Sequence, residues 1–148
     1  MYQGKVRVRV CGILIQSDRL LLLKHEGIGE DGFLWSPPGG GVEFGERAET
    51  TLKREFLEET GLRVDVRKFL FTNEHIDHRH HAIELFFEVV REGGELKLGS
   101  DPELEEQILT DLRFLSMPDI RRLPATSVHC MLSRIRDLKE LIELKGYY

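Results

Sequence analysis

The stretch Gly40–Leu62 reads GGVEFGERAETTLKREFLEETGL, and the placement of its glutamates decides the fold. Taken as a helix from Arg47 to Thr60, at about 100° per residue, it puts Glu55, Glu58 and Glu59 on one side within about 100° of each other. Leu52, Phe56 and Ala48 fall beside them on the same wheel. The carboxylates therefore border the face that should be buried. Like charges next to a core are costly unless something neutralises them. A hard divalent cation does so through carboxylate and carbonyl oxygen.

The plain alternative is a solvated helix face, which is what charge runs usually mark. The flanks weigh against it. Pro37-Pro38-Gly39-Gly40-Gly41 and Gly45 precede the helix, and such a loop lets backbone approach a ligand closely. Gly61 follows as the expected C-terminal stop. Carboxylates at i and i+4, Glu55 and Glu59, can hold magnesium or manganese, and Glu58 at i+3 widens the site.

Gly40, Glu46, Arg54, Glu55, Phe56, Glu58, Glu59, Gly61 and Leu62 fill every fixed position of G-x5-E-x7-R-E-U-x-E-E-x-G-U, where U is a bulky apolar residue. The stretch thus resembles the Nudix box, and LWSPPGGGVEFGE resembles its usual lead-in. The resemblance implies an α/β fold, the Nudix-type α/β/α sandwich with a mixed β-sheet between helices. It implies hydrolysis of a pyrophosphate bond in a nucleoside diphosphate linked to another moiety. It also implies Mg2+ or Mn2+ held by Glu55, Glu58 and Glu59 with the backbone carbonyl of Gly40. Arg54 has two readings, a phosphate ligand or an internal counter-charge orienting Glu46 or Glu55; the resemblance favours the second. The general base is a box glutamate or an acid on a later loop, with Glu106 first among Glu103, Glu105 and Glu106.

Composition bounds the alternatives. The 148 residues are 41% hydrophobic and 32% charged, ordinary for one globular domain. A net charge of −5 argues against a stable nucleic-acid partner, which needs a basic footprint. Cys11 and Cys130 are too few for a disulfide framework and read as reduced, buried thiols of a cytoplasmic protein. No apolar run approaches the ~18 residues of a membrane span.

Along the chain, Lys5–Ile15 reads as a strand, Ser17-Asp18 as a tight turn and Arg19–His25 as the returning strand. Glu26–Gly32 is a polar, glycine-bearing loop. Trp35 can pack in the core or stack on a nucleobase, and Gly39, Gly40 and Gly41 are the candidate backbone cradle. Leu62–Phe71 and Ala82–Val90 read as strands joined by a turn at Asn73–His81, and Arg91–Gly94 as another turn. His75, His78, His80 and His81 match no standard zinc spacing; of them His81 is the candidate substrate contact. Residues 95–98 suit a short strand, Asp101–Thr110 an acidic, partly helical stretch and Leu112–Leu115 a strand. Ser116 suits the cap of a short helix containing Pro118. Ser127–Lys145 carries apolar residues at helical spacing and is expected to be one amphipathic helix.

Subfamilies preferring ADP-ribose tend to carry a proline about sixteen residues past the box. Here Asp77-His78-Arg79 occupy that region. Nor is there the tyrosine of dinucleoside-polyphosphate enzymes or the proline- and tryptophan-rich run of NADH-cleaving ones. No named substrate is favoured. A catalytically silent nucleotide-sensing module on the same fold is the competing function, and an acidic interaction domain the third. A homodimer is expected, pairing through the N-terminal strand or the His75–His81 hairpin.

Overall fold

The computed structural model describes residues 4–99 and 108–148. In chain order its elements are β1 (Val6–Ile13), β2 (Ile15–Gln16), β3 (Arg19–Glu26), β4 (Phe33–Ser36), β5 (Gly39–Gly41), α1 (Ala48–Thr60), β6 (Leu62–Ile76), β7 (His81–Gly94), β8 (Ile108–Leu115), α2 (Met117–Arg121) and α3 (Glu140–Glu143).

Two four-stranded sheets carry the fold. The first runs β5-β1-β7-β6, with β1 parallel to β7 and antiparallel to β5. In the second, β3 holds β2 and β4 along one side and β8 along the other. Ser17 and Asp18 sit at φ 51° and 59°, the positive values a two-residue hairpin of matching twist requires. Strand alternation then sorts side chains between two cores. Val10, Leu14 and Leu21 pack with Leu52 and Phe56 of α1. Cys11, Ile13, Leu20 and Leu22 pack with Trp35, Phe71 and Phe86 under Ile120, Met131, Leu132 and Ile135. The expected α/β sandwich is therefore present, a mixed sheet with α1 on one side and the segment from α2 to α3 on the other.

Five expectations are corrected. Ser127–Lys145 is not one helix: it makes two three-residue-turn segments, Ala125–Ser127 and Cys130–Ser133, and only the four residues of α3. Its apolar residues are nonetheless buried, from Val128 and Met131 to Leu141. Leu132, Ile135, Leu138 and Leu141 recur every third residue, a spacing that three-residue turns satisfy as well as an α-helix. The backbone of His129 also bonds the Trp35 carbonyl at 2.9 Å, which holds the start of the segment extended beside β4. The turn expected at Asn73–His81 shrinks to residues 77–80, because Asn73–Ile76 pair with His81–Glu84. Arg91–Gly94 is strand, paired with Leu62–Val64. Residues 95–98 form no strand; Lys97 and Gly99 instead donate to the Thr60 and Glu59 carbonyls at 2.8 and 2.9 Å, satisfying groups that the end of α1 leaves open. Cys11 is buried as expected, whereas Cys130 is exposed.

β1 is paired on both sides from Val8 to Gly12, so that part offers no edge to a second copy of the chain. The outer edge of β6 is met by residues 146–148, through Thr72 to Gly146 and Tyr148 to Thr72. No helix among the described residues is long and apolar enough to cross a membrane.

Candidate functional site

Helix α1 and strand β5 build the site together. Leu52 and Phe56 anchor one side of α1 in the core, which turns Glu55 and Glu59 inward toward the glycines. Both carboxylates are buried, at 0% and 1% exposure, and Glu58 lies outside them with a side chain 36% exposed. A buried charge is tolerated only when partners answer it. The backbone N–H of Gly39 donates to Glu59 Oε1 at 3.0 Å. Arg54 Nη1 donates to Glu55 Oε1 at 3.0 Å. Gly40 lies directly under Glu55, and a Cβ there would overlap its carboxyl group; glycine is the residue this approach allows.

Arg54 forms ion pairs with three glutamates of its own stretch. Its fork grips Glu46, Nε to Oε2 at 3.2 Å and Nη2 to Oε1 at 2.9 Å, while Nη1 also reaches Glu58 at 3.6 Å. Thr51 Oγ1 adds a 2.6 Å bond to Glu46. The Arg54 bonds chiefly, and Thr51 next, hold the Glu46 carboxyl at about 2, far below its usual range. Gly61 ends α1 in the left-handed conformation, φ 76°.

The donor set is all oxygen, which suits a hard divalent cation. Among the described residues no group of three or more His, Cys, Asp or Glu side chains closes a ready metal cage. The residues fit the cation in chemistry, with the remaining positions open.

Of the other residues singled out from sequence, Gly39, Gly40 and Gly41 form β5 beside these carboxylates. Trp35 is buried in the core. His81 pairs with Glu74 at 2.6 Å opposite Val6, three residues along β1 from the position facing Gly41. The structure thus does not gather His81 with the glycines. His75 and His80 bond Asp77, whose acidity they and the hairpin backbone N–H groups increase against the effect of burial. Glu103, Glu105 and Glu106 lie outside the described residues.

Sequence reasoning missed a second polar cluster. The strand register lines up Gly41, Arg9, Glu84 and Asn73 across four strands. Glu84, buried, accepts from Asn73 Nδ2 at 2.9 Å and contacts His129 Nε2 at 2.8 Å. Met131 N–H bonds His129 Nδ1 at 3.1 Å, which assigns the ring proton to Nε2. Arg9 Nη1 stands 3.6 Å from Glu84 Oε2. Burial alone would raise the Glu84 carboxyl, but His129, Arg9 and Asn73 together hold it at about 2. The available signal was the alternation of arginine with valine in a strand that turns wholly apolar.

A family model of the NUDIX domain matches residues 5–130. An ADP-ribose pyrophosphatase of Methanocaldococcus jannaschii is 38% identical over 101 residues, which cover 67% of this chain and 59% of that protein. The chain thus spans less than two thirds of this relative's length. A NUDIX hydrolase from Nitrosomonas europaea superposes with a TM-score of 0.75 at 19% identity, over 94% of this chain and 89% of that one. A MutT NUDIX hydrolase from Burkholderia pseudomallei gives 0.72 at 25% identity, over 90% and 100%.

Proposed function

The chain belongs to the Nudix family, and from that premise we propose that it hydrolyses a pyrophosphate bond in a nucleoside diphosphate linked to another moiety. The observation that carries this reading is the pair of buried carboxylates, Glu55 and Glu59, set against the glycine strand. The relative is an ADP-ribose pyrophosphatase, which makes ADP-ribose the first substrate to try.

Glu55 and Glu59, with Glu58 at the rim, would hold Mg2+ or Mn2+. Gly39 joins Gly40 as a candidate main-chain ligand. In a strand one residue's N–H and C=O point the same way, and the Gly39 N–H already faces Glu59. A bound divalent cation supplies phosphate-charge neutralisation and a more acidic bound water. Arg54 keeps Glu46 ionised and holds Glu55 in place, as groups behind a metal ligand do. The glycines give the phosphate a backbone surface without side chains. Proton abstraction from water falls to a carboxylate, either a box glutamate or Glu106.

Residues 1–148 are read as one domain working in the cytoplasm as a homodimer. Since β1 is paired on both sides from Val8 to Gly12, the hairpin at His75–His81 is the proposed interface of the two.

The test is a panel of ADP-ribose, UDP-sugars and nucleoside triphosphates, assayed for phosphate-containing products with Mg2+, with Mn2+ and with chelator. Metal-dependent cleavage of a diphosphate-linked compound supports the proposal. Nucleotide and metal binding without cleavage anywhere on the panel supports the silent sensing module instead.

A further inference from the structure

Arg9 occupies the middle of a sheet, and a charge there needs a reason. β1 is paired on both sides, so Arg9 does not guard an edge against aggregation. By the two-residue period it shares a face with Cys11, away from α1, where its side chain is 26% exposed. Gly41 lies directly opposite it and presents no side chain, and the Arg7 guanidinium lies over that glycine. Two guanidinium groups therefore border the glycine strand on the face that α1 leaves open.

The rest of the row holds Arg9 still. Glu84 Oε1 is fixed by Asn73 and His129, and its Oε2 faces Arg9 at 3.6 Å. That separation is an ion pair but too long for a hydrogen bond. Glu84 thus balances the charge of Arg9 without taking up its five N–H donors. Arg9 is also within electrostatic reach of Glu55 and Glu59. As a purely structural device the arrangement is poor, since desolvating an ion pair is often matched or bettered by apolar packing of the same volume. It makes sense as a held cation awaiting an anion.

We propose that Arg9, held in place by Glu84, grips a phosphate oxygen of the nucleoside diphosphate substrate from the sheet face opposite α1. Arg9 is the contact; Glu84, backed by Asn73 and His129, is a positioning residue. The proposal rests on the hydrolase reading for the identity of the substrate, but binding alone tests it.

The experiment titrates ADP into the wild type and into Arg9→Gln, Arg9→Lys, Glu84→Gln and the double variant Arg9→Gln/Glu84→Gln by calorimetry, with Mg2+ and with chelator. Turnover of the substrate panel is measured alongside. Arg9→Gln is expected to weaken ADP binding about tenfold or more, the scale of one charge-assisted hydrogen bond. Arg9→Lys, which keeps the charge and loses the fork, should recover part of it. Glu84→Gln should lose less than Arg9→Gln, and the double variant should bind no worse than Arg9→Gln alone, because Glu84 acts through Arg9. A merely structural role for Glu84 would make the losses add. Wild-type protein that does not bind ADP, Arg9→Gln binding within about twofold of wild type, or additive losses would each overturn the proposal. Normal hydrolysis with Arg9-independent ADP binding removes the grip and keeps the hydrolase. Arg9-dependent ADP binding with no hydrolysis on the panel does the reverse. Should Glu84→Gln fail to fold, the comparison of Arg9→Lys with Arg9→Gln decides the matter.

Discussion

Arg54 divides its guanidinium between Glu46 and Glu55, so at this position a lysine is not equivalent: one ammonium cannot form the fork. Groups behind a metal ligand typically matter by about 10- to 100-fold. We therefore expect Arg54→Lys to lose activity on that scale with the fold intact, read as kcat/KM against a far-UV spectrum. Glu59→Gln keeps the shape and removes the charge, and as a proposed ligand it should cost about 100-fold or more. Near wild-type turnover of that variant at low magnesium would dismiss the assignment. Glu46 makes a pH prediction. Its carboxyl is lowered from 4.5 to about 2 in the folded protein, so its contribution is complete above pH 4.5 and disappears as pH falls toward 2. Thermal melts of wild type and Glu46→Gln should differ at neutral pH and converge across that window. A gap that stays constant from pH 7 to 2 would mean the ionised Glu46 stabilises nothing.

At the scale of elements, α1 is specified by its end. Gly61 is left-handed at φ 76°, and a Cβ there would overlap the Glu95 carbonyl. The left-handed conformation alone costs a non-glycine residue about 1–2 kcal/mol. Gly61→Ala should accordingly destabilise the protein by about 2 kcal/mol or more, seen as a lower midpoint in urea with an unchanged slope. The segment from Ser127 onward teaches the opposite lesson. Its apolar residues found the core, yet a three-residue recurrence does not distinguish an α-helix from successive tight turns. What decided was the partner, the Trp35 carbonyl bonded to His129, ninety-odd residues away. β6 and β7 outgrew their expected lengths for a similar reason: Asn73, Glu74 and Arg91 read as turn residues but found cross-strand neighbours.

For the whole molecule, a cation that binds only the native state stabilises it by mass action. We expect millimolar Mg2+ to raise the melting temperature of wild type and to do so far less in Glu59→Gln. Equal shifts in both would show that Mg2+ binds elsewhere. Assembly is tested by light scattering at micromolar concentration. A mass twice that of one chain is expected, and a single-chain mass independent of concentration would reject the homodimer.

Short-range spacing was enough to determine α1, its stop at Gly61 and the carboxylates on its inner side, whereas the glycines before it read as a loop and form strand β5. All of these sit within one 23-residue stretch, where helix period and glycine chemistry leave few alternatives. The Ser17-Asp18 hairpin and the Ser116 cap were legible for the same reason, each being settled by adjacent residues. The tertiary structure alone decided that β1 is interior from Val8 to Gly12, which removes that part as a dimer edge and gives Arg9 a new meaning. It alone placed Asn73, Glu84 and His129 on one another. These residues come from three separate stretches, and only the register of β7 and β6, with the segment at His129 bonded alongside β4, brings their polar atoms within hydrogen-bonding reach.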